Sequence, residues 1–291
     1  MIDSSPLVSV NIPTLNSSLM IGKCIAAIQK QTYKNIEIIV IDSHSQDDTV
    51  NIALNKGVKI FYKIGLFHQR LLGIKKSKGK YILLLDSDQV LEETAIEKCV
   101  ILSETNKKPL GIILNEISKP VIKGPIATLQ AEYVQLIHTG DWDPILGTAL
   151  PRFFPVNLLK ELNPLPREIG YFDHLYIYNK MVEKGLTSIF SKEAIVYHYE
   201  RNMPIKMLKK FYKYYGFYII PALIENPKLI MSRLMPRRKI FSNTASKKNA
   251  FSQLLLYGAK SLASGIGIIS YVIQSIIIVL KDLILPSVDK L

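Results

Sequence analysis

Apolar positions fall into two alternating rhythms along the first third of the chain. Leu7-Val8-Ser9-Val10-Asn11-Ile12 carries β-branched residues at every second position and stops at Pro13, which predicts a first strand. From Ser18 to Lys30, the residues Leu19, Ile21, Ile25 and Ile28 recur at helical spacing, and the largely apolar run Glu37 to Ile41, closed by Asp42, predicts a second strand. The alternation continues with a helix near Asp47 to Lys56, a strand near Val58 to Tyr62, a helix near His68 to Ser77 and the strand Tyr81 to Leu85. Strands apolar on both faces and separated by helices predict a mostly parallel, Rossmann-like α/β sheet covered on both sides. Ligands bind such sheets beyond the carboxyl ends of the strands. The chain places Pro13-Thr14, Asp42 and Asp86-Ser87-Asp88 at three of those ends, so three strands aim polar groups into one crevice.

Beyond Leu114 the rhythm breaks, with Pro120, Pro125, Pro144, Pro151, Pro155, Pro164 and Pro166 punctuating short segments. Ser242 to Asn249 is polar and reads as a linker ahead of an apolar tail that starts at Phe251. A chain of 291 residues can bury a sizeable core as one large domain, or as a catalytic domain with an appendage. Cys24 and Cys99 lie far apart in predicted amphipathic helices and read as small core hydrophobes.

Asp86 and Asp88 end the apolar strand YILLL, one residue apart. Two acids delivered together repel one another unless a cation neutralises them, and Mg²⁺ or Mn²⁺ favours such oxygen ligands shared with phosphate. A strand-end Asp capping the next helix beside an unrelated acid is the plainer alternative for an Asp-x-Asp triplet taken alone.

Context decides between them. Val8 to Asn16, then Gln31-Thr32-Tyr33, then Glu37 to Thr49 resemble, in order and spacing, the opening of the family 2 glycosyltransferases. Arg70-Leu71-Leu72-Gly73 and Ser77 to Asp88 are similar to the stretch where that family has an Arg, a Gly, a small residue before Gly, and its Asp-x-Asp. The resemblance is strong over residues 7 to about 100 and weaker to about 200. It implies a GT-A fold and inverting transfer of a sugar from a nucleoside-diphosphate sugar to an acceptor, assisted by Mn²⁺ or Mg²⁺. On that basis Pro13, Thr14 and Asn16 lie against the nucleoside, Asp42 accepts a hydrogen bond from the base, and Arg70 approaches the nucleotide. Asp86 meets the ribose or metal, Ser87 joins the donor site, and Asp88 holds the metal that bridges the diphosphate. Residues 1–200 then form the catalytic domain, with a nucleotide-sugar half at 1–115 and an acceptor half at 116–200.

Inverting transfer needs a base, which the family supplies from an acidic pair before a helix ending in Gly. Here Ile169-Gly170-Tyr171-Phe172-Asp173-His174 precedes an apparent helix ending at Lys184-Gly185, so Asp173 is the candidate, although Phe172 and His174 replace the usual neighbouring acids. Asp141 and Asp143, around Trp142, are rival carboxylates. Ala194-Ile195-Val196-Tyr197-His198 resembles a strand that ends, in relatives, with a His reaching the metal, which nominates His198 as a third metal ligand beside Asp86 and Asp88. His44, His68, His138 and His174 show no metal spacing.

Charge points to a membrane. Of the net +13, nearly all sits between Arg201 and Lys260, where 13 Lys or Arg face one acid, Glu225. Ile205 to Ile219 interleaves lysines with Phe and Tyr, a composition suited to a bilayer interface or to stacking on single-stranded nucleic acid. Ser261 to Leu280 then runs 20 residues without a charge between Lys260 and Lys281, long enough for one span of about 30 Å. Membrane is therefore preferred and nucleic acid is not expected. Gly265, Gly267 and Gln274 also suit a packed helix in a homo-oligomer. The domain reading becomes juxtamembrane helices and linker at 201–250 and a hydrophobic membrane helix at 251–291. No signal peptide is discernible at the N-terminus, which places the catalytic part in the cytoplasm at the cell membrane. The acceptor is then a saccharide or a polyprenyl-phosphate-type lipid. Two other classes remain open: a sugar-nucleotide nucleotidylyltransferase, which would be expected to carry a Gly-rich loop where this chain has PTLNSS, and a non-catalytic membrane-associated protein on a relict nucleotide fold.

Overall fold

The computed structural model describes residues 5–121, 150–160, 162, 173–200, 209, 212–213, 218–225, 227, 262, 264–270 and 272–274. Strands β1 (Val8–Thr14), β2 (Ile36–Asp42), β3 (Lys59–Tyr62) and β4 (Tyr81–Leu84) alternate with helices α1 (Ile21–Gln29), α2 (Thr49–Asn55) and α3 (Leu66–Lys76). After β5 (Gln89–Leu91) and α4 (Ala95–Thr105) come β6 (Leu110–Pro120), β7 (Phe153–Pro155), a 3-10 turn (Val156–Leu158), α5 (Asp173–Glu183), β8 (Thr187–Glu200) and α6 (Ile219–Glu225). The eight strands among the described residues join one sheet in the order β3-β2-β1-β4-β7-β6-β8-β5.

The first four strands are parallel, as their alternation with helices predicts. Period-two alternation divides their side chains between two cores. Tyr81 and Leu83 of β4 pack with Ile21, Cys24 and Ile25 of α1 and Cys99 of α4. Ile82 and Leu84 face the other way, onto Phe67 and Leu71 of α3 and Leu175 and Met181 of α5. Phe153 and Phe154 of β7 split between the cores in the same manner. Both cysteines are free and buried.

Two glycines set how closely elements approach. A Cβ on Gly73 would overlap the Asn11 side chain at 2.0 Å, so α3 lies against β1 at a distance only glycine permits; Asn11 Nδ2 donates to the Arg70 carbonyl at 3.0 Å across that contact. A Cβ on Gly79 would lie 2.6 Å from the Leu7 carbonyl oxygen and 2.8 Å from the Ser9 nitrogen, both backbone atoms.

Several sequence expectations shift. Pro13 continues β1 rather than stopping it, because β4 pairs with β1 only as far as Asn11 and leaves that side of Pro13 without a ladder partner to satisfy. Leu19 is 65% exposed and precedes α1, whose buried face is Ile21, Cys24, Ile25 and Ile28. The region read as irregular after Leu114 contains most of the 11-residue β6, which runs through the boundary drawn at residues 115 and 116 and pairs in parallel with the 14-residue β8. β7 is antiparallel to both β4 and β6.

The expected span at 261–280 is described only at 262, 264–270 and 272–274, which are helical, and Ile268 packs against the second core. No described helix is long and apolar enough to cross a membrane. The polar linker at 242–249, Trp142 with Asp141 and Asp143, and most of the basic, aromatic stretch lie outside the described residues.

Candidate active site

Parallel register brings the polar strand ends together. Thr14 is the register partner of Asp42, and Leu85 N–H donates to the Asn11 carbonyl, which carries the chain from β4 into Asp86 at the same edge of the sheet. Asp86, Ser87 and Asp88 form a turn: Gln89 N–H donates to the Asp86 carbonyl at 3.0 Å, and the buried Gln89 Oε1 accepts the Asp86 N–H at 3.0 Å. The turn leads straight into β5, where Gln89 pairs with His198 of β8 and Tyr199 N–H donates to the Asp88 carbonyl. That register puts His198 beside Asp88, with Nε2 3.4 Å from Oδ1.

The two acids of the triplet occupy different environments. Asp86 is clamped by two guanidinium groups, Arg70 Nη2 on Oδ1 and Arg152 Nη1 on Oδ2, each at 2.9 Å. Burial opposes its charge, but Arg152 and Arg70 outweigh burial and hold its carboxyl well below the usual carboxylate range. Asp88 is 45% exposed. Ser87 Oγ lies 2.8 Å from Ser17 Oγ, tying the turn to the loop after β1.

Behind the triplet lies a buried polar layer. Glu116 of β6 accepts from His198 Nδ1 at 2.6 Å and from Gln89 Nε2 at 3.2 Å, and lies 3.8 Å from Arg152 Nη2. Burial disfavours a charged His198, yet the Glu116 and Asp88 carboxylates hold its imidazole well above the ordinary value. Arg70, 2% exposed, also donates through Nε to Asp173 Oδ2 at 2.5 Å, and its Nη1 has no hydrogen-bond partner among the described residues. Asp173, at the start of α5, is itself 1% exposed, and its Oδ1 accepts the His174 N–H at 2.7 Å. Burial pushes the Asp173 carboxyl up, against the pull of Arg70. His174 lies 3.4 Å from Arg152, and burial together with both arginines depresses its imidazole well below the ordinary value.

Toward β2, Asp42 is fully buried. Its Oδ1 accepts from Thr14 Oγ1 at 2.9 Å and Ser45 Oγ at 2.6 Å, and its Oδ2 accepts the Ser45 N–H at 2.7 Å. Expected as an acceptor for a base, it meets the rest of the site through Thr14 and Ser45. Asn16 takes a positive φ of 49° and accepts the Gln46 N–H at 2.8 Å, stitching the loops after β1 and β2 together. Gln69 of α3 closes the same corner, donating to the Thr14 and Ile41 carbonyls.

The structure therefore brings Asp86, Asp88, Arg70, Asp173 and His198 into one cluster, and Pro13, Thr14, Asn16 and Asp42 into its neighbouring wall. Asp86, expected as a metal ligand, has both oxygens in ion pairs. Among the described residues no group of three or more His, Cys, Asp or Glu could by itself hold a metal ion. Asp88 and the His198 Nε2 nonetheless fit one: they offer two converging donors, and hard divalent cations fill the remaining positions with phosphate oxygens and water. Arg152, Glu116 and Gln89 were not foreseen. Their signals were faint, a lone acid in the apolar run LGIILNE and a lone Arg before Phe153-Phe154.

The family model for "Glycosyl transferase family 2" matches residues 9–125, from β1 to just past β6, and so includes the triplet, Arg70 and Glu116. Over residues 9–125 the chain is similar to glycosyl transferase family 2. An uncharacterized glycosyltransferase of Rickettsia prowazekii is 43% identical to this chain over 97 residues, 32% of the chain and 30% of the relative. A GalNAc(5)-diNAcBac-PP-undecaprenol beta-1,3-glucosyltransferase of Campylobacter jejuni is 34% identical over 100 residues, 31% of the chain and 32% of the relative. The matched stretch thus spans about a third of the length of these relatives. Among solved structures, the mannosyltransferase PcManGT from Pyrobaculum calidifontis, in complex with GDP-Man and Mn²⁺, superposes with a TM-score of 0.58 at 16% identity, covering 99% of this chain and 89% of that one. The likeness shows the fold: the chain adopts a GT-A-like α/β fold with a mixed, largely parallel sheet.

Proposed function

We propose that the protein is an inverting glycosyltransferase that moves a sugar from a nucleoside-diphosphate sugar to a lipid-linked acceptor. The observation that carries this reading is the division of labour at the triplet: Asp86 clamped between two arginines, and Asp88 open beside His198, at the carboxyl ends of parallel strands in a family 2 domain. Asp88 and His198 would hold Mn²⁺ or Mg²⁺ against the diphosphate, and such an ion, when bound, neutralises the departing nucleoside diphosphate. Pro13, Thr14, Asn16 and Ser87 would line the nucleoside side, with Asp42 bracing that wall. Arg70 and Arg152, which fix Asp86, set the carboxylate toward the ribose. Asp173 is the base of this reading. An acceptor hydroxyl oxygen bonds to the sugar's anomeric carbon as the bond to the diphosphate breaks, and its proton passes to Asp173, whose raised carboxyl is suited to take it.

The test is titration of UDP and GDP with and without Mn²⁺. Binding of one nucleotide that strengthens with Mn²⁺ and loses that gain in Asp88→Ala is expected, and metal-independent binding or an indifferent Asp88→Ala would overturn the reading. Asp173→Asn should leave nucleotide binding intact while lowering turnover by about 10²–10⁴-fold; unchanged turnover would remove Asp173 from its role.

The acceptor half of the reading rests on the C-terminus. Leu262, Ile266, Ile269, Val272 and Ile273 are exposed at helical spacing, next in sequence to the block holding 13 Lys or Arg against one acid. An apolar stripe beside positive charge suits an anionic bilayer surface, which would station the catalytic domain on the cytoplasmic face. The Campylobacter jejuni relative, whose name specifies an undecaprenol-linked acceptor, supports a polyprenyl-phosphate-type substrate. Anionic liposomes should float the full chain but not a form ending at residue 249. Equal flotation of both, with transfer to soluble acceptors only, would sink this half alone.

A further inference from the structure

Glu116 is a carboxylate set inside an apolar strand. In β6 it follows Leu110-Gly111-Ile112-Ile113-Leu114-Asn115, and its side chain is 6% exposed. A buried charge is costly unless paired and hydrogen-bonded, and Glu116 has partners from three separate parts of the fold: Arg152 before β7, Gln89 of β5 and His198 of β8. Neutralising Arg152 would need an ion pair alone, yet that separation is the long one at 3.8 Å. The short contact, 2.6 Å, is to Nδ1 of His198, the ring nitrogen turned away from Asp88. Register explains the reach. Ser118 is the β6 partner of His198, and Glu116, two residues earlier, shares its face of the sheet.

An imidazole presents Nε2 as an electron-pair donor only when Nδ1 carries the proton, and an acceptor on Nδ1–H settles both the tautomer and the angle of the ring. We propose that Glu116 is a positioning residue for a divalent cation: it holds His198 so that Nε2 and the Asp88 carboxylate converge on one ion. Gln89 completes the device, donating through Nε2 to Glu116 while its Oε1 accepts the Asp86 N–H. The ring and the Asp-Ser-Asp turn are thereby set from one buried layer. The inference rests on the donor-site reading above and assigns a role to a residue that touches neither sugar nor nucleotide.

The test uses the full chain and Mn²⁺ with UDP or GDP, following the free Mn²⁺ signal by electron paramagnetic resonance and the imidazole nitrogen coupling by electron spin-echo modulation. The native protein should show the nitrogen coupling, and His198→Ala should lose it. Glu116→Ala should weaken Mn²⁺ by about 10–100-fold, and Glu116→Gln, which keeps the side-chain volume, by less. In a His198→Ala background the further loss from Glu116→Ala should shrink to within about twofold. A merely structural Glu116 would lower the melting temperature in both backgrounds and leave Mn²⁺ affinity alone. Native-like Mn²⁺ affinity in folded Glu116→Ala or Glu116→Gln, or full additivity with His198→Ala, would overturn the proposal while leaving the donor site standing. A native protein that binds no Mn²⁺ with either nucleotide would remove both.

Discussion

Arg70→Met tests the electrostatics of the site most directly. The guanidinium is 2% exposed and bridges Asp86 and Asp173. On its removal Asp86 keeps Arg152 at 2.9 Å, but Asp173, 1% exposed, loses its ion-pair partner among the described residues. Removing one member of a buried pair typically costs about 3–5 kcal/mol, because the other charge stays buried without compensation. That is a large part of the roughly 5–15 kcal/mol that holds a domain folded, and a shift of about 2 M in a urea midpoint at a slope of about 2 kcal/mol per molar. The cost should depend on pH with a definite sign. Burial already raises the Asp173 carboxyl, and losing Arg70 removes the main pull in the other direction. An acid whose folded pKa lies above its unfolded value of about 3.9 binds protons more tightly in the native state, so stability falls as pH rises from there through the folded pKa. The Arg70→Met deficit should therefore be larger at pH 8 than at pH 5. His174, whose ring is kept neutral by burial and both arginines, shifts the same way, and Asp173→Asn in the Arg70→Met background separates the two. That double variant should recover most of the lost stability and flatten the profile. Urea unfolding at both pH values is the assay, and a deficit below about 1 kcal/mol, or one that grows toward pH 5, would refute the reasoning.

Three further outcomes follow from packing. Gly79→Ala should fail to accumulate as folded protein or should melt far below the native chain, since its Cβ would press on the Leu7 and Tyr81 carbonyl oxygens and the Ser9 nitrogen at 2.6–2.8 Å; native-like melting would mean that the β1 and β4 ends can move apart. Phe153→Ala, at a fully buried ring stacked on Tyr81 at 5.1 Å, should lose about 3–5 kcal/mol in denaturant unfolding. Thr14→Val removes a donor to the buried Asp42 and should cost about 1.5–3 kcal/mol of stability while weakening nucleotide binding in the same titration; unchanged binding would detach that wall from the nucleotide.

The N-terminal half of this fold was legible in the chain because its information is local. Tyr81 to Leu84 is a continuous apolar run, Ile36 to Asp42 is apolar apart from Glu37 and its closing Asp, and Val8 to Thr14 alternates apolar with polar residues yet is buried throughout, as a parallel strand under two helix layers requires. Asp42, Asp86 and Asp88 sit where those runs end, so their meeting at one edge follows once the strands are parallel. The half that follows α4 was not legible in that way. β6 looked irregular because its apolar run is broken by Asn115 and Glu116, and β7 has only three residues, too short for any period to register.

What only the tertiary structure decided is which charges meet. Arg152 reaches Asp86 across 66 positions and Glu116 reaches His198 across 82, distances over which periodicity carries no information about side-chain pairing. The sheet order, with β7 between β4 and β6, makes the first contact, and the parallel β6–β8 register makes the second. Sequence alone could nominate Asp86 and Asp88 as a pair of acids. Packing made them different, one neutralised by two arginines and one left open beside a histidine, because electrostatic environment is a property of neighbours in space rather than in the chain.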